Sequence, residues 1–564
     1  MGKLADGRMT DSVPARPPHG PNYPSERWWH IALEPSTAEQ RRARLGLLLV
    51  AVAIVVVHAA LAGLDRPINW DEAVYVTQVN PAVPPVFMEP HRTRGMPLLV
   101  SPVAVFDPSM VVLRLYLAVA GAAATYVAFA VWVRLIGGAA AIAAAVYSSF
   151  WITVFYSVEV LPNHPSALLA VAITGLFVRG LTKSPVRHQI ALTAGLMFLF
   201  ALVRPPDAAM VGVGLVLLAG LSRRREQLPV LTAAAVGGSA GVILWWIEGW
   251  FRFGFLPQET MRSAGEYGVA SGRVNMLPLY LQHVESRLRC ARGCVEDYVS
   301  AGGGWQLPPI RSLLFLILAA VLVVLGTVST RRRRWVLWTP LVVASPVLGF
   351  YAFVGGSMNQ RYILLVYALA LIPPAIGLRA LWLQMGRSPA FSRRALRTAV
   401  VVAVVSACWW STSKTLERFD NPSTRDRAYG IGQVLMEETG RTGADCVLAA
   451  RVDYPMLQYW SGCLATAGGT AQDGQLQPPL GEIGSYTDLA AHHAEGADLY
   501  AVDRESLREG SPLESWQRVH PDAEPVEGYV LYRAVEGSVV PPPPCPPADS
   551  EQSRRLAEVF SGSC

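Results

Sequence analysis

The sequence predicts a polytopic α-helical membrane protein, with about eleven transmembrane helices and a small C-terminal α/β domain. Three observations carry that prediction. Of the 564 residues, 52% are hydrophobic and only 16% charged, where roughly a quarter of a soluble domain is charged, and the mean hydropathy is +0.31. Apolar runs long enough to cross a bilayer recur from Leu45 to Trp410. Arginine clusters fall in every second connection between those runs, which is how orientation is written in membrane proteins. The net charge of +6 resides largely in these clusters. It therefore reads as topology with membrane lipids as neighbours, and no nucleic acid is expected as a partner.

Taken in order, residues 1–44 are polar and Pro-rich and are expected to form a disordered cytoplasmic segment ending in Arg41, Arg42 and Arg44. No cleavable signal peptide is evident. The first span, Leu45 to Leu64, is uncharged over about 30 Å of helix, with His58 its one polar intruder; that histidine fits either a proton relay or hydrogen-bonded packing. Further spans are expected at Met110 to Val133, Gly137 to Phe155, Ser166 to Leu181, Ile190 to Val203, Ala208 to Leu221, Pro229 to Phe251, Leu313 to Val328, Trp335 to Val354, Tyr362 to Leu378 and Ala399 to Trp410. Leu98 to Phe106 is too short to span and is expected to lie against the bundle as a re-entrant or interfacial piece.

With the N-terminus inside, the cytoplasmic connections hold Arg134, then Arg179, Lys183 and Arg187, then Arg223 to Arg225, then Arg331 to Arg334, and finally Arg379, Arg387, Arg393, Arg394 and Arg397. The clusters stay in phase across all the spans. An odd number of spans puts the C-terminus outside, so the transmembrane domain (45–412) carries an external first loop at 65–109 and a long external loop at 252–311. Within the latter, Leu277 to Arg289 reads as an amphipathic interfacial helix, a lid or a lipid rest.

After Thr412 the composition becomes that of a soluble protein. Short strands at Val447 to Ala450, Leu464 to Thr466, Leu499 to Val502 and Tyr529 to Arg533 alternate with helical stretches such as Tyr454 to Trp460 and Thr487 to Ala494, which suggests an extracytoplasmic α/β domain over 413–540. Residues 541–564 are Pro-rich and are expected to form a flexible tail. Cys408 lies in the last span, and Cys290, Cys294, Cys446, Cys463, Cys545 and Cys564 all fall in segments placed outside, where disulfides persist. Cys446 with Cys463 is the preferred pair because each abuts an expected strand; the loop they close would contribute about 3 kcal/mol on a chain-entropy estimate. Cys290 and Cys294 fit a local pair or a weak metal signal.

The chemistry-bearing residues concentrate in the first external loop. Asp71 and Glu72 follow the first span directly, and Glu89, His91, Arg92 and Arg94 form a second polar cluster before apolar sequence resumes at Pro97. Asn69 or Asp71 is suited to cap the helix that opens with AVYVTQV, a role that does not exclude catalysis. Trp70 and Tyr75 fit an interfacial aromatic belt. Acid and base on one membrane face could take a proton from an acceptor while guanidiniums hold an anion. Glu248, near the outer end of its span, fits either acceptor contact or snorkelling.

The first span followed by NWDEAVY, with a polar turn containing Arg94 and Pro97, resembles the first external loop of the GT-C superfamily of polytopic glycosyltransferases. The nearest likeness is to glycosyltransferase family 39, which includes protein O-mannosyltransferases and bacterial aminoarabinose transferases. YSVEVLPNHPSALLAVAITGLFVRG (Tyr156 to Gly180), VRPPDAAMVGVGL (Val203 to Leu215) and NQRYILLVYALALIPPAIGL (Asn359 to Leu378) extend the resemblance over most of the membrane part. It implies an enzyme that transfers one sugar from a polyprenyl-phosphate donor to a lipid, glycan or protein acceptor outside the cell membrane, with Asp71 as general base and Glu72 beside it. It likens Arg94, Arg361, Tyr362 and Arg204 to donor-phosphate ligands. Glu159 becomes the second-loop acid, with Asn163 and His164 standing where similar sequences often carry Asp, and Glu89, His91 and Arg92 line the acceptor side. The missing aspartate removes one carboxylate ligand for a divalent metal, so no cofactor is assigned and metal dependence stays open. A transporter or flippase of polyprenyl-linked glycolipids is the competing class. It is disfavoured because the span centres are nearly free of charge and no pseudo-repeat is visible. A third reading gives the function to the C-terminal domain, as a membrane-anchored binding protein, but that domain shows no evident site.

Overall fold

The computed structural model describes residues 35–61, 63–86, 88–182, 185–222, 227–254, 277–282, 310–329, 334–353, 360–386, 394–395, 397–406, 409, 424–440, 446–450, 454–466, 498–504, 515–519 and 529–535. Residues 1–34, the arginines at 223–225 and 331–333, Cys290, Cys294, Cys408, the expected helix at Thr487 to Ala494 and the tail lie outside them, as does most of the 252–311 loop, of which Leu277–Gln282 is helical.

The membrane part runs α1 (Thr37–Leu61), α2 (Trp70–Val76), α3 (Gly95–Ala104), α4 (Met110–Ile136), α5 (Ala139–Ser149), α6 (Trp151–Tyr156), α7 (Asn163–Thr182), α8 (Arg187–Val203), α9 (Pro205–Ser222), α10 (Leu228–Phe253), α11 (Leu277–Gln282), α12 (Ile310–Ser329), α13 (Arg334–Phe353), a 3-10 turn at Gln360–Ile363, α14 (Leu364–Ala370) and α15 (Ile372–Met385), then α16 (Arg397–Ser406). A helix meets every expected span. Among the described residues, 7 helical segments are long and apolar enough to cross a membrane on length and composition, and the rest are shorter.

Two expected spans are broken. The run Gly137 to Phe155 divides at Phe150, which is extended at φ −63 and ψ 130, and just before it the Ser149 hydroxyl turns back to the Val146 carbonyl at 2.9 Å. A serine bonded to its own backbone in this way competes with the helical ladder. The run Tyr362 to Leu378 breaks at Leu371, where Pro373 and Pro374 enter the first turn of α15; proline is tolerated there because first-turn amides need no helical partner. The expected re-entrant piece is α3, which lies against α2, α4 and α8.

Contacts sort the connections onto two ends of the bundle. At one end Glu39 of α1 accepts from Arg379 of α15 at 2.6 Å, near the α4–α5 turn, where the Gly138 amide faces Glu39 at 3.5 Å. At the other, the first loop meets the ends of α8 and α10: the Thr93 hydroxyl donates to the Leu202 carbonyl, and Trp245 Nε1 donates to the Pro90 carbonyl at 3.2 Å. Gly95, which opens α3, sits directly on the Leu202 and Val203 backbone with no room for a Cβ. Gly95→Val is therefore expected to lower stability by about 1–3 kcal/mol, read as a lower thermal midpoint in detergent; an unchanged midpoint would show that the loop is not seated there.

After α17 (Thr424–Thr439) come β1 (Cys446–Ala450), α18 (Tyr454–Ser461), β2 (Leu464–Thr466), β3 (Asp498–Arg504), β4 (Gln517–Arg518) and β5 (Tyr529–Arg533). They form a five-stranded sheet in the order β2-β1-β3-β5-β4. β1 runs parallel to β2 and β3, with Val447 opposite Leu464 and Leu499, while β5 is antiparallel to β3 and β4. Cys446 and Cys463 are joined in a disulfide, Cα to Cα 5.0 Å, so the connection containing α18 is tied at both ends. One continuous core of buried residues passes from the bundle through Ile68 and Val76 to Met456, Leu457 and Leu448.

Candidate active site

α2 begins with a reciprocal capping box. Asn69 Oδ1 accepts from the Glu72 amide at 2.9 Å, and Glu72 Oε2 accepts from the Asn69 amide at 3.0 Å. That fixes the pose of α2, and because successive helical residues project about 100° apart it sends Asp71 and Glu72 in different directions.

Glu72 turns into the protein and is 0% exposed. Arg114 of α4, equally buried, grips it through both guanidinium nitrogens, Nη2 to Oε2 at 2.9 Å. The Val160 amide donates to Glu72 at 2.8 Å, while Arg114 also donates to the Val158 carbonyl at 2.7 Å and the Pro67 carbonyl at 3.3 Å. This corrects the expectation that Glu72 is catalytic, since a carboxylate enclosed by four donors cannot reach a substrate. Glu159 is corrected likewise. Its side chain is covered, paired with Arg66 at 2.6 Å and with Asn69 Nδ2 at 3.2 Å, so the second-loop acid braces the first loop and does not line an acceptor site.

Asp71 faces the other way, its side chain 22% exposed. Arg92 pairs with Oδ1 at 2.7 Å and Arg361, from the 3-10 turn, with Oδ2 at 3.0 Å. Glu89 in turn pairs with Arg92, whose guanidinium lies 5.2 Å from the Tyr75 ring. Arg361 continues the row over Tyr362 at 5.4 Å, and Arg204 covers the opposite part of the cluster, 5.0 Å from Tyr362 and 5.5 Å from Tyr351. Tyr351 and Tyr362 stack with ring centroids 5.5 Å apart. Buried Asp207 accepts from the Tyr351 hydroxyl at 2.5 Å and pairs with Arg204 at 3.4 Å. Asn163 holds the turn by donating to the Arg361 carbonyl at 3.0 Å. Asp71, Glu89, His91, Arg92, Asn163, Arg204, Arg361 and Tyr362 are thus brought together from four connections at one end of the bundle.

Two expected residues are elsewhere. Arg94 points away, to Glu248 at 2.6 Å and Gln78 at 2.8 Å, so the loop arginine at Asp71 is Arg92. His164 faces into the bundle, bonded to the Tyr147 hydroxyl at 3.0 Å and stacked on its ring. The buried histidine His58 similarly meets the Ser157 hydroxyl at 3.1 Å, which favours packing over a relay to the surface. Sequence reasoning missed Arg114, Asp207 and Tyr351. Arg114 left a readable signal, a charge near the start of an expected span, which demands a partner.

Burial by itself would raise the Asp71 carboxyl, but Arg361 and Arg92 outweigh it and hold the group well below the usual carboxylate range. His91 is pushed down to about 4 by burial, with Arg92 acting in the same sense, so it is neutral at physiological pH and offers a hydrogen bond without a charge. Three guanidiniums therefore stand against Asp71, Glu89 and Asp207, and an anion that took Arg361 from Asp71 would meet a paired site with one exchangeable partner. Among the described residues, no three His, Cys, Asp or Glu side chains converge as metal ligands.

No family model and no curated protein matches the chain. Among solved structures, ArnT from Cupriavidus metallidurans in the apo state is 13% identical with a TM-score of 0.60, covering 88% of this chain and 98% of that one. The same protein bound to undecaprenyl phosphate is 12% identical at a TM-score of 0.58, covering 88% and 99%. The Archaeoglobus fulgidus oligosaccharyltransferase tethered with an acceptor peptide containing the NVT sequon is 12% identical at 0.50, covering 81% and 69%. The chain shares the GT-C fold with ArnT.

Proposed function

We propose that this protein is an integral-membrane glycosyltransferase that moves a single sugar from a polyprenyl-phosphate donor to an acceptor hydroxyl, with the site on the extracytoplasmic face. The observation that carries the reading is Asp71 held between Arg92 and Arg361 at the exposed end of the bundle. The eleven-span topology, with the N-terminus inside and the sheet domain outside, belongs to this proposal; its support is the arginine phase of the sequence and the packing of the first loop and the sheet domain at one end.

The donor phosphodiester would be held by Arg361, Arg204 and the Tyr362 hydroxyl, because charge-assisted bonds from rigid guanidiniums suit phosphate oxygens. As the bond between the anomeric carbon and the phosphate oxygen breaks, negative charge grows on polyprenyl phosphate, and fixed cations at a water-poor surface stabilise it more than the ground state. Asp71, relieved of Arg361 by the incoming phosphate, accepts the proton from the acceptor hydroxyl as that oxygen bonds to the anomeric carbon. One displacement with one base inverts the centre. No nucleotide fold is needed for a donor whose handle is a lipid phosphate. The bound undecaprenyl phosphate of ArnT supports this choice of donor class.

The test is transfer by the purified protein in detergent, with labelled polyprenyl-phosphate sugars, candidate acceptors, and divalent cation present or chelated. Arg361→Gln is expected to raise the donor KM about 10- to 100-fold, the loss of a charged hydrogen bond worth about 1.5–3 kcal/mol, while the folded yield is retained. No transfer from any donor, together with saturable lipid movement in liposomes, would replace the transferase by a flippase.

A further inference from the structure

The sheet domain is built into the site end of the bundle. Its helix α18 lies on α2, where Tyr454 meets Trp70 edge to face with ring centroids 4.9 Å apart. Trp70 directly precedes Asp71, and both rings pack against the buried cluster of Val74, Val86 and Met88. One turn along α18, buried Gln458 donates to the Pro84 carbonyl at 2.8 Å, reaching into the loop that connects α2 to Glu89 and Arg92. That loop is otherwise pinned by Gln78 Nε2 on the Val86 carbonyl at 2.6 Å and the Val86 amide on Thr77 Oγ1 at 3.0 Å. Burial raises the Tyr454 hydroxyl above its ordinary value, and Glu89 and Arg92 are close enough to act on it as well. Tyr459, farther along α18, is fully covered in the core shared with the bundle. The Cys446–Cys463 disulfide holds the ends of this connection to neighbouring strands, so α18 is a rigid support and not a loose tether.

We infer that Tyr454 and Gln458 are positioning residues for the transferase site: through Trp70 and the Pro84 carbonyl, the C-terminal domain sets where Asp71 and Arg92 stand. The separation of roles follows from which element carries which group. Asp71 and Arg92 ride on α2 and its loop, which α18 touches. Arg361 and Tyr362 come from the 3-10 turn at Gln360–Ile363 and Arg204 from the α8–α9 junction, separate segments from the loop that Gln458 and Tyr454 hold. Loosening α18 should therefore disturb proton transfer more than donor binding.

This inference rests on the proposed transferase reading, and two readouts keep them apart. In the full-length protein, Tyr454→Ala and Gln458→Leu are expected to lower kcat per folded enzyme by about tenfold or more, since misplacement of a catalytic group by 1 Å can cost about 10²-fold. Donor KM should stay within about twofold, and Tyr454→Phe, which keeps the edge contact, should retain wild-type kcat. Independently of activity, hydrogen exchange of the amides over 73–92 should accelerate in Tyr454→Ala and Gln458→Leu and not in Tyr454→Phe. Faster exchange with no turnover by the wild type would leave the bracing of the first loop by α18 standing and remove the transferase, and with it the catalytic meaning of that bracing. Unchanged exchange, or unchanged kcat per folded molecule in an active enzyme, would overturn the inference.

Discussion

Asp71→Asn is expected to lower transfer by about 10²–10⁴-fold, the range a positioned general base supplies, and at the same time to bind polyprenyl phosphate more tightly than the wild type. The two effects have one origin. Asp71 pairs with Arg92 at 2.7 Å and with Arg361 at 3.0 Å, so the carboxylate that would take the proton competes with the donor phosphate for the Arg361 guanidinium. Asparagine is nearly isosteric but neutral: it cannot accept the proton as a carboxylate does, and it takes the Asp71 charge away from both arginines, while Arg92 keeps its pairing with Glu89. A loss of turnover with unchanged phosphate affinity would show that Asp71 does not contend for the donor site, and transfer that survives intact would remove it from the mechanism.

The same geometry fixes a sign for pH dependence. In the free enzyme Asp71 is held below the usual range by Arg361 and Arg92 against the opposing effect of burial. A depressed carboxyl stays ionised on lowering the pH past the ordinary value near 3.9, so its ion pairs stabilise the fold above that value and are lost only in more acid solution. Once phosphate shares the arginines, the carboxyl must rise toward its ordinary value and become a better base. The acid limb should therefore lie at higher pH in the kcat profile, which reports the substrate complex, than in the kcat/KM profile for donor, which reports the free enzyme.

Much of the architecture was legible because a bilayer permits few backbone solutions. Each of the eleven apolar runs carries helix among the described residues, two of them with a break, and strand boundaries in the sheet domain agree to within about two residues, as alternation and β-branching allow. Missed were the breaks at Phe150 and Leu371, helix α17 and strand β4, the last too short to leave a periodic pattern.

The site was legible by segment and not by side chain. Arg92 and Arg94 are two residues apart in a loop without periodicity, and nothing in their spacing says which meets Asp71. The distinction between Asp71 and Glu72 was partly readable: Asn69 followed three residues later by Glu72 is the signature of a capping box, which commits Glu72 to the backbone and leaves Asp71 to project elsewhere. The contact of Tyr454 and Gln458 with the first loop joins segments far apart in sequence and left no local trace.

The second large effect concerns the strut behind α2. Arg114→Met is expected to destabilise the protein by about 3–5 kcal/mol, the usual consequence of leaving one member of a buried ion pair without its partner. Glu72, fully covered, would lose its Arg114 ion pair while the Val160 and Asn69 amides still donate to it. Adding Glu72→Gln in the same chain should recover part of that loss, since the neutral amide oxygen can still accept from Val160 and no bare charge remains. Recovery would be incomplete, because the Val158 and Pro67 carbonyls also lose the Arg114 donors. Measured as thermal midpoints in detergent, the pair should be strongly non-additive; additivity within about 0.5 kcal/mol would mean that the two residues do not act as a unit. The expected consequence for catalysis is distinct from that of Asp71→Asn. The strut joins α4 and the Val158–Val160 segment to α2 without touching the arginines of the phosphate side, so the double variant should lose kcat through a less exact placement of Asp71 and keep the affinity of Arg361 and Arg204 for the phosphate. Were it instead to lose phosphate affinity in parallel with kcat, the acid and the guanidiniums would have to be held by one common scaffold, and the division between an acid carried by the first loop and cations carried by later connections would have to be abandoned.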